Sequence, residues 1–322
     1  MNSGNDASTG RDGTFARFPF GKLSDLDAGM LAIFGVSMNA TYGREHAAVA
    51  GPQALRQCSV DYLSDFLQSP SRTVVDIDTG KTLRLRDGFA GIDVGNLDAG
   101  GIADADMANQ IASLAQSVAA ARAIPVLLGG NVNCLLGLIE GFWAARRKPA
   151  LLLLTNRLFM AGGSRNFIRA SDNQTEASNR LAELETCQVG INGLQSAGAW
   201  ARIHQANGAK IVTADTIHDG GWSSAVEQVG TFIDTQDEVI CAIDAAVLDT
   251  GYAAGTADLN VGGLTPQQLV SMSTALDVTG KLAGMALLNI APEFDARGHT
   301  EQAVTDSAFA LLDGLMVEEI RS

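Results

Sequence analysis

The stretch Pro125–Cys134, "PVLLGGNVNC", is an apolar run that stops at two glycines and continues into two asparagines separated by a valine. A short, continuous apolar run of this kind is typical of a strand buried on both faces of a parallel sheet. In parallel α/β proteins, ligands bind at the carboxyl ends of the strands. The amides of Asn131 and Asn133 therefore follow a predicted strand at the point where a binding or catalytic group is expected.

Other apolar runs with the same character extend along the chain, and amphipathic helical patterns lie between them. Alternation of this kind predicts an α/β fold, a three-layer α/β/α sandwich on a mainly parallel sheet. In the last predicted helices, Thr265 with Pro266 and Thr300 have the residue types of helix N-termini. The predicted strands cover residues 30–36, 88–95, 124–130, 150–154, 187–191, 209–214, 238–244 and 284–291, and the predicted helices cover residues 104–123, 132–147, 265–276 and 300–320.

The domain organisation follows from length and composition. The chain has 322 residues, of which 46% are hydrophobic, and no Pro/Gly/Ser-rich linker interrupts its middle. A single large α/β domain is common at this length. We predict a flexible N-terminal tail over residues 1–25, rich in Gly, Ser, Asn and Asp, and one domain over residues 26–322.

Charge and cysteine content restrict the partners and the compartment. The net charge of −14 disfavours nucleic acid and anionic membranes as partners. No apolar run approaches the roughly 20 residues of a membrane span, and the N-terminus lacks the apolar segment of a signal peptide. The four cysteines are widely spaced. These features predict a cytoplasmic protein with reduced thiols.

Familiar catalytic motifs do not occur. The sequence lacks GxGxxG, the P-loop pattern and GxSxG, and its four histidines stand without the paired spacing of zinc ligands. Two features stand out. The glycine-rich segment 249–268 is long for a loop and therefore has a functional or a flexible character, and Asp244 ends an apolar run, where it is either a ligand or a turn residue.

Five segments together resemble the ureohydrolase family, which includes arginase, agmatinase, formiminoglutamase and guanidinobutyrase. The resemblance extends from about Met30 to the C-terminus, and the long loop is its most specific part. It implies an arginase-like fold. The segments that carry it are "GPQALR" from Gly51, "IDVGNLD" from Ile92, "PVLLGGNVN" from Pro125, "LDTGYAAGTADLNVGGLTPQQ" from Leu248 and "NIAPEFDARGHT" from Asn289.

The resemblance also implies that the family's metal centre is degenerate here. Family members hold two divalent metals through two His and four Asp, and the metals generate the hydroxide that attacks a guanidinium carbon. Asp244 is the one position that retains the family's ligand residue. The resemblance therefore implies no metal and no catalytic residue in this chain. The positions of the family's metal site fall on Asn131, Val132, Thr155, Arg157, Phe159, Asp244 and Ala246, where Asn131 takes the place of the Asp that precedes the first His ligand, and the family's substrate-facing Glu falls on Asn289.

Arg157 suggests how the lone acid is compensated. A carboxylate buried without a partner is costly. We hypothesise that the guanidinium of Arg157 occupies the former metal volume and pairs with Asp244. Val132 and Phe159 supply apolar atoms that fill the remaining space.

Three functions stay open at this point. The first is a non-catalytic subunit that assembles, as a trimer- or hexamer-like hetero-oligomer, with a homologous catalytic ureohydrolase subunit containing nickel or manganese. This pattern resembles the paired subunits of metformin hydrolase, which releases dimethylamine and guanylurea. The second is a regulatory protein that binds a small polar ligand through Asn131, Asn133, Thr155, Asp244 and Asn289. The third is a metal-independent hydrolase.

Overall fold

The computed structural model describes residues 13–38, 49–77, 79–97, 104–159, 184–195 and 209–320. These residues form two sheets. The strands are β1 (Leu31–Val36), β2 (Thr73–Val75), β3 (Thr82–Leu85), β4 (Gly91–Leu97), β5 (Ile124–Gly129), β6 (Ala150–Leu154), β7 (Thr186–Ile191), β8 (Ala209–Thr213), β9 (Val239–Asp244), β10 (Leu282–Leu288) and β11 (Val317–Glu319).

The main sheet has eight strands in the order β4-β1-β5-β10-β9-β6-β7-β8, and every neighbouring pair is parallel. The sequence predicted each of these strands. Strands β1, β5, β6, β7, β9 and β10 are buried along their whole length, which explains why they read as continuous apolar runs.

Helices cover both faces of this sheet. They are α1 (Gly51–Tyr62), α2 (Ser64–Gln68), α3 (Asp104–Ala120), α4 (Cys134–Ala144), α5 (Ala214–His218), α6 (Trp222–Asp234), α7 (Pro266–Ala275) and α8 (His299–Met316). One core cluster joins one sheet face to α1, α5, α6, α7 and α8, and another joins the opposite face to α3 and α4. The predicted three-layer α/β/α fold is therefore confirmed.

Helices α3 and α4 pack closely because α4 carries two glycines one turn apart. A Cβ atom at Gly137 would lie 2.6 Å from the carbonyl oxygen of Ala108, and one at Gly141 would lie 2.6 Å from that of Ala112. Any larger residue would push the helices apart. The apolar pattern predicted α4, but the closeness of the pair depends on these glycines.

Two expectations about the C-terminal helices have different outcomes. Thr265 caps α7 as predicted, because its hydroxyl accepts the Gln268 backbone N–H at 3.1 Å. Thr300 does not cap α8, which begins one residue earlier after Gly298. The Thr300 hydroxyl instead accepts the Gly255 N–H at 2.8 Å and donates to Asp295, so it binds the long loop to the helix.

The N-terminal expectation needs correction within the described residues. Residues 14–18 do not form a loose tail, because Phe15 is fully buried and its ring stacks on Phe309 at a centroid distance of 5.6 Å. The Phe15 N–H also donates to Asp93 at 3.0 Å, and the Ala16 N–H donates to Ser59 at 2.8 Å. Aromatic burial therefore anchors this segment to the domain, while residues 1–12 lie outside the described part of the chain.

A buried ion pair connects α1 to β4. Arg56 is 5% exposed, and its Nε and Nη2 atoms donate to the two oxygens of the fully buried Asp93 at 2.7 and 2.8 Å. Asp93 also accepts the N–H groups of Phe15 and Gly95. The "GPQALR" and "IDVGNLD" segments thus meet in one hydrogen-bonded unit that holds the N-terminal segment against the sheet. No helix among the described residues is long and apolar enough to cross a membrane.

Replacing Arg56 with Met should lower the free energy of unfolding by about 3–5 kcal/mol, because Asp93 would remain buried without its cation. Urea denaturation measures the change. The control is Arg84→Met, since Arg84 pairs with Glu318 at the surface and its loss should change little. Equal midpoints for the two variants would contradict the assigned importance of the buried pair.

Candidate functional site

The candidate site lies at the carboxyl ends of the four central strands. Strands β5, β10, β9 and β6 are consecutive neighbours in the sheet and all run in the same direction. Their ends bring together Asn131, Asn289, Asp244 and Thr155, each of which is at most 4% exposed. The structure therefore assembles at one sheet edge the polar residues that the sequence placed at separate strand ends.

Asp244 is the centre of this arrangement. One of its carboxylate oxygens accepts the Ala246 N–H at 3.0 Å and the Asn289 side-chain amide at 3.1 Å. The other accepts the Thr155 hydroxyl at 2.9 Å. Burial, with a smaller contribution from the charge of Asp258, raises the pKa of Asp244 to about 6, whereas the hydrogen bonds from Ala246, Asn289 and Thr155 act in the opposite direction.

Asn289 connects three strand ends through its backbone and its side chain. Its backbone lies in the left-handed region, with φ of 60°, which asparagine tolerates better than most residues. This conformation accompanies a hydrogen bond from the Asn289 N–H to the carbonyl oxygen of Gly130 at 2.8 Å. Its side-chain amide donates to Asp244 and lies 3.5 Å from Asp258.

Asp258 is a site residue that the sequence analysis missed. It belongs to the glycine-rich loop, is half-buried, and approaches Asp244 through the shared amide of Asn289. Burial raises the pKa of Asp258, while Arg157 and the Asn289 hydrogen bond lower it. The length of the loop predicts a functional or flexible segment, but nothing in its sequence distinguishes Asp258 from its other polar residues.

The hypothesis that Arg157 fills the former metal volume and pairs with Asp244 is wrong. Arg157 is exposed, and its charge acts on Asp258. Asp244 takes its hydrogen bonds from neutral donors, namely Thr155, Asn289 and the backbone of Ala246. A fully buried carboxylate with three such donors and a raised pKa does not need a guanidinium beside it.

Apolar residues occupy the neighbouring positions. Val132 and Phe159 are half-buried and pack against the core cluster on the α3–α4 face, and Ala246 is fully buried. Gln188 fixes Phe159, because its amide oxygen accepts the Phe159 N–H at 2.7 Å and its amide nitrogen donates to the Phe159 carbonyl at 2.9 Å. The side chains at these positions contribute packing contacts and no metal-binding oxygen or nitrogen atoms.

The two asparagines that follow β5 differ in their contacts. The side-chain oxygen of Asn131 accepts the Asn133 N–H at 2.9 Å. Asn133 is 8% exposed, and its side-chain nitrogen has no hydrogen-bond partner within the described structure. This amide is therefore a buried donor that a bound molecule could satisfy.

Two side chains fix the glycine-rich loop beside the site. The carboxylate of Asp249 accepts the N–H groups of Gly251 and Gly262, each at 2.7 Å. His218 bridges the loop to α7, because its ring nitrogens lie 3.1 Å from the Gly263 carbonyl oxygen and 3.2 Å from the Gln268 amide nitrogen. The segment that contributes Asp258 therefore has a defined conformation.

A search of the chain against protein-family models matches the arginase family over residues 30–155 and 166–313. The chain belongs to the arginase family. Among curated relatives, formimidoylglutamase of Halobacterium salinarum is 24% identical over 250 residues, covering 71% of this chain and 79% of that protein. The mitochondrial guanidino acid hydrolase of Homo sapiens is 23% identical over 301 residues, covering 90% of this chain and 78% of that protein.

Solved structures of arginase-family proteins share the fold. Formimidoylglutamase from Bacillus subtilis superimposes with a TM-score of 0.73 at 18% identity, covering 98% of this chain and 96% of that chain. A hypothetical agmatinase from Burkholderia thailandensis gives a TM-score of 0.70 at 20% identity, covering 93% and 88%. The predicted arginase-like architecture is therefore confirmed.

Proteins of the arginase family normally use a binuclear metal centre, and the residues of this site do not fit one. Two adjacent dications need several anionic ligands to balance their charge. The strand ends supply one fully hydrogen-bonded aspartate, neutral amides and a hydroxyl. No group of three or more His, Cys, Asp or Glu suited to a metal occurs among the described residues, and His46 and His204 lie outside them.

Stability should depend on pH through Asp244. Because folding raises its pKa from 3.8 to about 6, the folded chain binds the proton more tightly than the unfolded chain. Stability should therefore fall as the pH rises from about 4 to above 6, by at most about 3 kcal/mol. Asp244→Asn should remove this loss, since Thr155 can accept a hydrogen bond from the new amide.

Urea midpoints of both proteins at pH 4.5 and 7.5 measure this difference. Asp277→Asn is the control, because hydrogen bonds from Thr279 lower the pKa of Asp277 and give the opposite pH dependence. A wild-type midpoint that rises between these pH values as much as that of Asp244→Asn would be inconsistent with a carboxyl group that folding protonates.

Proposed function

We propose that this chain is a non-catalytic subunit that assembles with, and supports, an active metal-dependent ureohydrolase subunit. The observation that carries the proposal is the hydrogen-bonding of Asp244 by Thr155, Asn289 and the Ala246 backbone. Neutral donors occupy the places around this carboxylate where dications would require further carboxylates. A fold of the arginase family with this strand-end chemistry is better suited to support a catalytic chain than to activate water.

The proposed reaction is hydrolysis of a guanidine or biguanide such as metformin, to guanylurea and dimethylamine, in the partner subunit. Relatives of this chain include formimidoylglutamases and a guanidino acid hydrolase, so its family contains hydrolases of amidine-type groups. The metal, nickel or manganese, would belong to the partner. In this chain the strand ends would have a packing role.

A second candidate function has one specific observation in its favour. The unpartnered side-chain nitrogen of Asn133 is a buried donor at the same strand ends as Thr155 and Asn289. A small polar molecule with a carbonyl or carboxylate oxygen could satisfy it. Calorimetry of the isolated chain with guanidine and biguanide ligands tests this ligand-binding function.

Metal content and turnover should distinguish this chain from its proposed catalytic partner. Purified alone, this protein should contain substoichiometric nickel and manganese and hydrolyse no guanidine, because it lacks the ligands for a metal pair. Co-expressed with a catalytic homologue, it should co-elute in an active complex with about two metals per partner subunit. Elemental analysis and an assay for released amine measure both properties, and stoichiometric metal with turnover by the isolated chain would end the proposal.

Substituting the site within the complex gives an independent test. Asp244→Asn should leave turnover within about two-fold of wild type, because the isosteric amide preserves packing and the carboxylate has no chemical role. Chelation, in contrast, should abolish turnover without changing the unfolding midpoint of the isolated chain. A loss of 100-fold or more in Asp244→Asn, with assembly intact, would indicate that this site performs chemistry.

A further inference from the structure

The side chain of His218 joins three elements of the fold. His218 is the last residue of α5, and its ring contacts both the glycine-rich loop and α7. The Nε2 atom lies 3.1 Å from the carbonyl oxygen of Gly263 and 3.4 Å from that of Gly262, and the Nδ1 atom lies 3.2 Å from the side-chain nitrogen of Gln268. His218 is exposed, so its ring exchanges protons with solvent. The proposed function assigns no role to this contact.

The partners of the ring determine its protonation state. A carbonyl oxygen only accepts hydrogen bonds, so the Nε2 atom of His218 must carry a hydrogen and donate to Gly263. The side-chain nitrogen of Gln268 only donates, so the Nδ1 atom must be unprotonated and accept. One form of the ring satisfies both contacts, the neutral imidazole with its hydrogen on Nε2. The bridge therefore requires an uncharged ring.

The capping box of α7 fixes the orientation of the Gln268 amide. Its side-chain oxygen accepts the Thr265 N–H at 3.0 Å and lies 3.2 Å from the Thr265 hydroxyl, and the Gln268 N–H donates to that hydroxyl at 3.1 Å. Turning the amide so that its oxygen faces His218 would place its NH2 group against the Thr265 N–H. Two donors would then face each other, so the capping box and a hydrogen on Nδ1 exclude each other.

Acid should therefore break one side of the bridge and keep the other. Histidine is the side chain that ordinarily changes charge between about pH 5 and 8. With a hydrogen on Nδ1, His218 and Gln268 would present donors to each other. The Nε2–H group would still donate to Gly263, now as a charge-assisted hydrogen bond. Protonation thus detaches the ring from α7 and leaves it on the loop.

The other charged groups near these elements do not pair with the ring. Helix α5 packs against α6, β7 and β8, and β7 and α7 contain no charged residue. Among the described residues, no charged side chain forms an ion pair with His218. The charged residues of α5, its packing partners and the loop are Asp215, Asp219, Lys210, Glu227, Asp234, Asp249 and Asp258. The carboxylate of Asp249 is held by the N–H groups of Gly251 and Gly262. Hydrogen bonds with neutral groups therefore define the contacts of the ring.

We propose that His218 is a pH-sensitive latch, which in its neutral form holds the glycine-rich loop against the start of α7 and on gaining a proton releases Gln268 and opens the capping box. This inference goes beyond the proposed function and does not depend on it. The change is local, because backbone hydrogen bonds from Asp249 to Leu264 at 2.8 Å and from Leu264 to Val247 at 2.9 Å keep the base of the loop closed.

Hydrogen–deuterium exchange of the full chain at pH 7.5 and 5.5, corrected for intrinsic exchange rates, tests the latch. Peptides that span residues 262–270 should exchange roughly five-fold faster in acid, since one hydrogen bond of ordinary strength changes an opening equilibrium by roughly two- to ten-fold. His218→Gln keeps a donor for Gly263 but does not ionise, so it should show no acid response. Gln268→Glu offers an acceptor to the protonated ring, so acid should slow its exchange.

Two controls separate the latch from other groups that titrate in this range. His299→Gln removes the described histidine of α8, which packs against α7. Asp244→Asn removes the carboxyl group whose pKa is raised to about 6. Both variants should keep the wild-type acid response.

The latch is overturned if the wild type shows no acid response or if His218→Gln keeps it. Loss of the response in His299→Gln or Asp244→Asn would assign it to those groups and also overturn the latch. A Gln268→Glu variant that acid loosens as much as wild type would contradict the acceptor argument. If this variant does not fold, His218→Gln alone decides.

Discussion

The buried carboxylate of Asp244 is the constraint on which the strand ends depend. It sits fully buried in the centre of an eight-stranded sheet, where an ionised group without compensation is expensive. Hydrogen bonds from Thr155, Asn289 and the Ala246 backbone offset part of this cost. The remaining effect of burial is a pKa raised to about 6. Arg157 is exposed and is not among the groups that shift the pKa of Asp244, and apolar residues occupy the neighbouring positions.

This arrangement suits the residues found at the neighbouring positions. Once Asp244 is balanced by neutral donors, a second carboxylate at position 246 would add an unpaired buried charge, and an alanine there adds none. Val132 and Phe159 pack against the core on the α3–α4 face, which restores dispersion contacts that an open polar cavity would lack. Asp258 is tolerated because it is only half-buried and has Arg157 nearby.

The sequence predicted the architecture well because the main sheet is parallel and covered on both faces. Six of its eight strands are buried along their whole length, and their apolar runs are visible without any tertiary information. The small antiparallel sheet, ordered β11-β3-β2, was missed because its strands have three or four residues and are partly exposed. Helix α8 ends at Met316 because β11 pairs with β3, which no local signal indicates.

The site was predicted less completely, for a physical reason. The resemblance to the ureohydrolase family located Thr155, Asp244 and Asn289, which lie at or directly after the ends of parallel strands and therefore share one edge of the sheet. The prediction that Arg157 pairs with Asp244 is wrong, because it considers charged partners only. The register of the neighbouring strands instead places neutral donors beside the carboxylate. Asp258 comes from a loop, and loop geometry depends on hydrogen bonds between distant residues, such as those of Asp249 with Gly251 and Gly262.

Asp244 and Asp93 show two different ways in which this chain accommodates a buried acid. Asp93 is fully buried and accepts hydrogen bonds from the Nε and Nη2 atoms of Arg56. Asp244 accepts its hydrogen bonds from neutral donors, and burial raises its pKa to about 6. The ion pair therefore stabilises the attachment of α1 and the N-terminal segment to β4, whereas ionisation of Asp244 at the strand ends opposes folding.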